Sequence, residues 1–95
     1  MTQKIILDFL KSHKSQLESE YGLTKIGLFG SYAKSNAHLG SDIDIVIEAK
    51  KHDFFMREEL KEYLENVFGT SVDIGYIDSI RKFYRDKIDK DILYV

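Results

Sequence analysis

The sequence predicts an α/β (α+β) fold, one small mixed β-sheet packed with helices in the order α-β-α-β-α-β-α. Alternating apolar residues mark three short strands, at 24–29, 42–48 and 72–77. Around and between them, apolar residues recur at the spacing of one helical face. Glycines and small polar residues stand at the junctions, where turns and caps need them. A chain of 95 residues forms one domain, spanning 1–95. At that size only about 60–65% of the unfolded surface is buried, enough for one modest core.

The elements follow in order. Ile5, Ile6, Phe9, Leu10 and Leu17 share a face, with Thr2 placed as N-cap, so the first twenty residues read as one helix that Gly22 ends. The first strand runs from Thr24 to Phe29, with Ile26 and Leu28 on one side. Gly30-Ser31 breaks it, Tyr32 to His38 can form a short helix, and Gly40-Ser41 makes a second turn. Ile43, Ile45 and Ile47 then occupy every second position, the period of a strand with one core face. His52-Asp53 opens a helix in which Met56, Leu60, Tyr63, Leu64 and Val67 share a face, closed near Gly69. Val72, Ile74 and Tyr76 alternate with Asp73, Gly75 and Ile77 in a third strand. Asp78-Ser79 caps a last helix whose inward residues are Ile80, Phe83, Tyr84, Ile88 and Ile92.

Composition excludes several classes. Hydrophobic residues at 43%, charged residues at 32% and no proline describe a globular chain, not a disordered one. Cysteine is absent, so disulfides, thiolate zinc sites and cysteine nucleophiles are excluded. Met1 to Leu10 has too few consecutive apolar residues for a signal peptide, and no stretch nears the ~20 that span a membrane. The expected location is the cytoplasm. A net charge of −2 gives no general attraction to long nucleic acid or to anionic lipid.

Asp42 and Asp44 carry the chemistry. Two residues apart on a strand, their side chains leave the same face, about 6–7 Å apart at the backbone. Asp73 occupies an analogous place on a later strand, on the face opposite Val72 and Ile74. If those strands are neighbours, three carboxylates converge, and their repulsion raises one another's pKa values unless a cation sits among them. Hard oxygen donors suit Mg²⁺ or Mn²⁺, and a pair of such ions is a recurring device for displacement at phosphorus. A lone D-x-D is more often a solvated strand edge. What makes this one specific is Leu28-Phe29-Gly30-Ser31, eleven residues before Ser41-Asp42-Ile43-Asp44. There a strand enters a small-residue turn whose glycine allows close backbone approach and whose N–H groups and Ser31 hydroxyl can meet an anion. The P-loop pattern is absent.

Gly30-Ser31-Tyr32-Ala33-Lys34, Ser41-Asp42-Ile43-Asp44-Ile45-Val46-Ile47 and Val72-Asp73-Ile74 together resemble the signature of the polymerase-β-type nucleotidyltransferase superfamily. The likeness is to its short prokaryotic branch, the MNT-type (minimal nucleotidyltransferase) proteins, and runs from Thr24 to Val95. The resemblance implies a polymerase-β-like core. It also implies metal-dependent transfer of a nucleoside monophosphate, AMP from ATP, to a hydroxyl acceptor. Asp42, Asp44 and Asp73 then become the catalytic residues and metal ligands, holding two Mg²⁺ ions or Mn²⁺. Gly30 and Ser31, with Lys34, contact the nucleotide phosphates. Relatives often read Gly-Ser-x-Ala-Arg-Gly where this chain has Lys34-Ser35, so the charge is kept while arginine's bidentate fork is lost.

With no second domain to close over substrate, a partner or an oligomer is expected to complete the site. In the MNT family that partner is a HEPN-domain toxin, a small helical RNase on which AMP is placed at a tyrosine, and the nucleotidyltransferase is the antitoxin. Three other readings stand beside this one: transfer to a small molecule such as an aminoglycoside with a helical partner subunit, neutralisation of a partner by binding alone, and a plain α/β binding domain. His13, His38 and His52 are too scattered for a metal motif and read as surface or core residues. Arg81, Lys82, Arg85 and Lys87 make the last helix locally basic, which reads first as a solvated face.

Overall fold

The computed structural model describes residues 1–84 and 86–95, with the side chains of 84–88 outside that description. The expectations for Tyr84, Arg85, Lys87 and Ile88 therefore fall outside the described residues. Ten elements follow in order: α1 (Gln3–Ser12), α2 (Lys14–Tyr21), β1 (Leu23–Phe29), α3 (Gly30–Ala33), β2 (Ile43–Ala49), α4 (Phe54–Phe68), β3 (Val72–Tyr76), α5 (Ile77–Tyr84), α6 (Asp86–Asp91) and β4 (Leu93–Tyr94). The single mixed sheet has the order β3-β2-β1-β4. β2 and β3 are parallel, as the intervening α4 crossover demands, and β1 is antiparallel to both β2 and β4.

Local chemistry sets the boundaries. The Thr2 hydroxyl accepts from the Ile5 N–H and starts α1, and the Asp53 carboxylate accepts from Phe55 and Met56 and starts α4. Gly22 and Gly69 end α2 and α4 at φ 65° and 69°, the left-handed conformation glycine reaches without a Cβ penalty. The expected single first helix is divided at His13, whose ring stacks on Phe9 at 4.0 Å and whose Nδ1 lies 3.0 Å from the Phe9 carbonyl oxygen. The backbone bonds from His13 N–H to the Phe9 carbonyl (3.0 Å) and from Leu17 N–H to the His13 carbonyl (2.9 Å) run through the junction, so the two helices remain joined there. The expected single last helix is likewise given as two, α5 and α6, and α5 begins at Ile77, so Asp78 lies in its first turn and does not cap it.

One face of the sheet carries the main core. Ile43, Ile45 and Ile47 of β2, with Ile26 and Leu28 of β1, pack against Ile6, Leu10 and Leu17 of α1–α2 and Leu60, Leu64 and Phe68 of α4. The α4 stripe falls at i, i+4 and i+8, so Phe68 is buried and Val67, expected inward, is 41% exposed. Ile5 is likewise turned out, since α1 packs on the core through Ile6 and Leu10, flanked by Leu7 and Phe9.

The opposite face is only partly covered. Val46, Ile77 and Ile92 form a small second cluster with Phe29 and Ile80. Two strand glycines permit it: a Cβ on Gly27 would stand 2.7 Å from Ile92 Cγ2, and one on Gly75 would stand 3.0 Å from Ile80 Cδ1. Of the residues expected inward on the last helix, Ile80 and Ile92 join this cluster, whereas Phe83 is exposed. Among the described residues, no helix is long and apolar enough to cross a membrane.

Candidate active site

The alternation of β2 that points Ile43 and Ile45 into the core points Asp44 to the thinly covered face. The parallel register then places Asp73 of β3 directly beside Asp44 of β2, with Phe29 of β1 opposite Asp44 on the other side. Register partners on adjacent strands are about 4.8 Å apart at the backbone and share a face. Asp42 stands just before β2 and is exposed, close enough for its charge to act on Asp44. The structure thus brings Asp44 and Asp73 side by side, with Asp42 near enough to act on Asp44 through its charge. An open groove of about 340 Å³ runs from Asp44 and Asp73 across Phe29, Val46, Ile74, Gly75 and Ile80.

The electrostatics of that patch are those of crowded anions. The Asp44 carboxyl is held above its usual range, first by partial burial and then by the charges of Asp73 and Asp42. Among the described residues, no three acidic or histidine side chains are drawn together as a finished metal cage. The donor set nonetheless fits a hard divalent cation. All three groups are oxygen donors, no lysine or arginine forms an ion pair with them among the described residues, and each added positive charge would relieve the repulsion on Asp44.

Gly30 closes the site from β1. Its φ is 76°, and a Cβ built there would collide with the Asp44 carboxylate, with Asp44 Cγ only 3.0 Å away. The glycine is thus required twice, by its backbone conformation and by the close passage of the turn over Asp44. Ser31, half-buried, follows at once in the four-residue α3. The turn is tied by backbone bonds from Lys34 N–H to the Gly30 carbonyl (3.1 Å) and from Asn36 N–H to the Ser31 carbonyl (3.0 Å). Lys34 itself is exposed at the end of α3. Tyr32 is buried in the core, so its ring is a packing element.

Other residues take structural places. His52 stacks on Tyr76 at 3.8 Å and pairs with Asp78 at 3.0 Å, His13 stacks on Phe9, and His38 meets the Leu39 carbonyl at 3.1 Å. Arg81 is engaged by Asp89 at 3.0 Å. Two contributors escaped sequence reasoning. Gly75, with Ile80, shapes the apolar end of the groove, for which the glycine inside a strand was the available signal. Gln3 Nε2 reaches the Tyr32 and Ala33 carbonyls (3.2 and 2.8 Å) and Ser35 Oγ (3.1 Å), contacts some thirty residues away in sequence that no local pattern announces.

Comparison with known proteins agrees with this fold. The model of the nucleotidyltransferase domain family matches residues 10–95. The protein adenylyltransferase MntA of Thermococcus cleftensis is 31% identical over 96 residues, covering 100% of this chain and 97% of that protein. A Methanocaldococcus jannaschii protein bearing the provisional name protein adenylyltransferase is 37% identical over 92 residues, with 95% of this chain and 94% of that protein covered. Among solved structures, a toxin–antitoxin complex crystallised with AMP-PNP is 27% identical with a TM-score of 0.71, over 87% of this chain and 69% of that one. A minimal nucleotidyltransferase structure shares the fold at a TM-score of 0.80 and 22% identity, over 98% of this chain and 95% of that one. The fold, the family match and these relatives agree, and the chain belongs to the nucleotidyltransferase domain family, in its minimal branch of enzymes named protein adenylyltransferases.

Proposed function

We propose that this chain transfers AMP from ATP to a tyrosine hydroxyl of a HEPN-type toxin, acting as its antitoxin, in a reaction that depends on divalent cations. The observation that carries the reading is the in-register pairing of Asp44 with Asp73, with Gly30 lying against Asp44. The complex with AMP-PNP among its structural neighbours supports the nucleotide. A further neighbour of the same fold contains a tri-AMPylated Shewanella oneidensis HEPN toxin with its MNT antitoxin, which suggests the acceptor class.

Asp42, Asp44 and Asp73 would hold two Mg²⁺ ions, or Mn²⁺. Bound there, the cations neutralise the triphosphate and lower the pKa of the incoming hydroxyl. The chain's own residues do the positioning. Gly30 lets the backbone approach the phosphates beside Asp44, Ser31 offers its hydroxyl, and exposed Lys34 adds positive charge nearby. The acceptor oxygen forms a bond to the α-phosphorus as the bond from that phosphorus to the pyrophosphate oxygen breaks. The hydroxyl proton passes toward Asp73. A leaving pyrophosphate on the Gly30 side implies in-line approach from the β3 side, where Asp73 stands.

That approach side also bears on the acceptor. Beyond the carboxylates the groove is lined by Phe29, Ile74, Gly75 and Ile80. An apolar floor suits a hydroxyl carried on a flat ring, whereas a polycationic aminoglycoside calls for acidic groups there. The test is to incubate the protein with ATP, Mg²⁺ and its HEPN-type genomic neighbour and to weigh the neighbour intact. An AMP-sized increase, lost in Asp42→Asn/Asp44→Asn, is expected. A double variant that makes no transfer yet still neutralises the toxin would replace catalysis with binding alone.

A further inference from the structure

We propose that Gln3 is a positioning residue for the nucleotide-phosphate turn: its side-chain amide braces the end of α3 from outside and holds Gly30-Ser31 over Asp44. The inference rests on the nucleotidyltransferase reading of that turn and adds a residue from a distant part of the chain.

A helix of four residues cannot hold itself, because too few bonds form to offset the ordering of one turn. At the exit of α3 the backbone bonds run from Lys34 N–H to Gly30 O and Tyr32 O, from Ser35 N–H to Tyr32 O, and from Asn36 N–H to Ser31 O. The Ala33 carbonyl receives none of these. Gln3 Nε2 lies 2.8 Å from that carbonyl oxygen, 3.2 Å from the Tyr32 carbonyl oxygen and 3.1 Å from Ser35 Oγ. The two N–H groups of this amide thus face three acceptors at the C-terminal end of α3, the nearest being the Ala33 carbonyl that those backbone bonds leave unmet.

The brace is anchored at both ends. Gln3 is the first residue of α1, whose start is fixed by the Thr2 cap and whose inner face is fixed by fully buried Ile6 and Leu10. On the far side, Tyr32 is set in the core by its ring, so the amide holds the backbone on either side of a fixed point. Ser35 matters for the same reason. It is the only non-glycine residue with positive φ (57°) among the described residues, and its hydroxyl is one of the three acceptors. The strained exit from α3 and the brace therefore meet at one residue. Asp44 and Asp73 receive nothing from Gln3, so its loss should loosen phosphate binding while leaving the carboxylates in place.

Gln3→Met keeps the length of the side chain and removes the donor. Gln3→Asn keeps the amide and draws it back by one methylene. Steady-state transfer should show KM for ATP raised roughly five- to tenfold in both, with kcat at saturating ATP within about twofold of wild type. A role confined to overall folding would instead lower kcat through a smaller active fraction and leave KM alone. Amide hydrogen exchange, read by NMR without nucleotide, should quicken at Lys34 and Asn36 in both variants and stay unchanged in β2 and β3. Wild-type KM with unchanged exchange in both variants overturns the proposal, and so does a kcat loss at constant KM. Should the wild type itself make no ATP-dependent transfer, the functional reading fails separately. The exchange rates at Lys34 and Asn36 then decide whether Gln3 braces the turn.

Discussion

Gly30→Ala separates the two demands placed on that glycine, because the fold contains two controls for one of them. Gly22, Gly30 and Gly69 have φ of 65°, 76° and 69°, so alanine meets nearly the same backbone penalty at each, about 1 kcal/mol. At Gly22 and Gly69 nothing stands within 4 Å of the new methyl group, whereas at Gly30 it strikes the Asp44 carboxylate. The struck atoms end a short side chain, so Asp44 can rotate away, at about 0.5–1.5 kcal/mol for leaving its rotamer. Chemical denaturation should therefore give losses of about 1 kcal/mol for Gly22→Ala and Gly69→Ala and about 2 kcal/mol for Gly30→Ala. Activity should divide far more sharply. A carboxylate displaced by about 1 Å costs on the order of 100-fold in transfer, while the two control variants keep their rate. In Gly30→Ala/Asp44→Ala the extra stability loss should vanish, a coupling of about 1 kcal/mol between neighbours. If Gly30→Ala matches Gly69→Ala in both stability and transfer, the turn does not press on Asp44 and the proposed site geometry is wrong.

Asp44→Asn tests the crowding of charge. A carboxyl whose folded pKa is raised adds stability below its unfolded pKa and loses that contribution as pH rises through the folded value. In chelator at pH 7 the asparagine variant should therefore be more stable than wild type, with the gain fading as pH falls toward 4. Thermal melts across that range check it, and a variant less stable at pH 7 would show that Asp44 is not repelled. Ser35→Gly balances opposing effects: release from φ 57° favours glycine, while the freer unfolded chain and the lost bond from Gln3 oppose it. The net change should lie within about 0.5 kcal/mol. A gain well beyond that in urea unfolding would mean the Gln3 contact adds nothing at Ser35.

The parts of the fold that the sequence made legible are those decided locally. Isoleucines at 43, 45 and 47 could bury one face only as a strand, and Asp53 and Gly69 bracket α4 by chemistry that acts within a few residues. The same period placed Asp44 on the face opposite those isoleucines before any register was known. Pairing was not legible in that way. Nothing in Val72–Tyr76 says that this strand lies parallel to β2 with Asp73 against Asp44, since register is settled by how α4 and the core pack. β4 has two residues, too few for a period, and is held by Gly27 and Leu28 of β1. Errors of facing occurred where an apolar residue at helical spacing was turned outward, as with Ile5, Val67 and Phe83. Gln3 was not legible for another reason, being a polar residue whose partners are distant in the chain.

The account stands on a divalent-cation site formed by Asp42, Asp44 and Asp73 beside Gly30. Titrating Mn²⁺ into the isotope-labelled protein with an unreactive ATP analogue, and following paramagnetic broadening residue by residue, reads that site directly. Broadening should begin at the amides of Gly30, Ser31, Asp42 to Ile45 and Val72 to Ile74, and should disappear in Asp42→Asn/Asp44→Asn. Broadening centred elsewhere, or unchanged in the double variant, would contradict it.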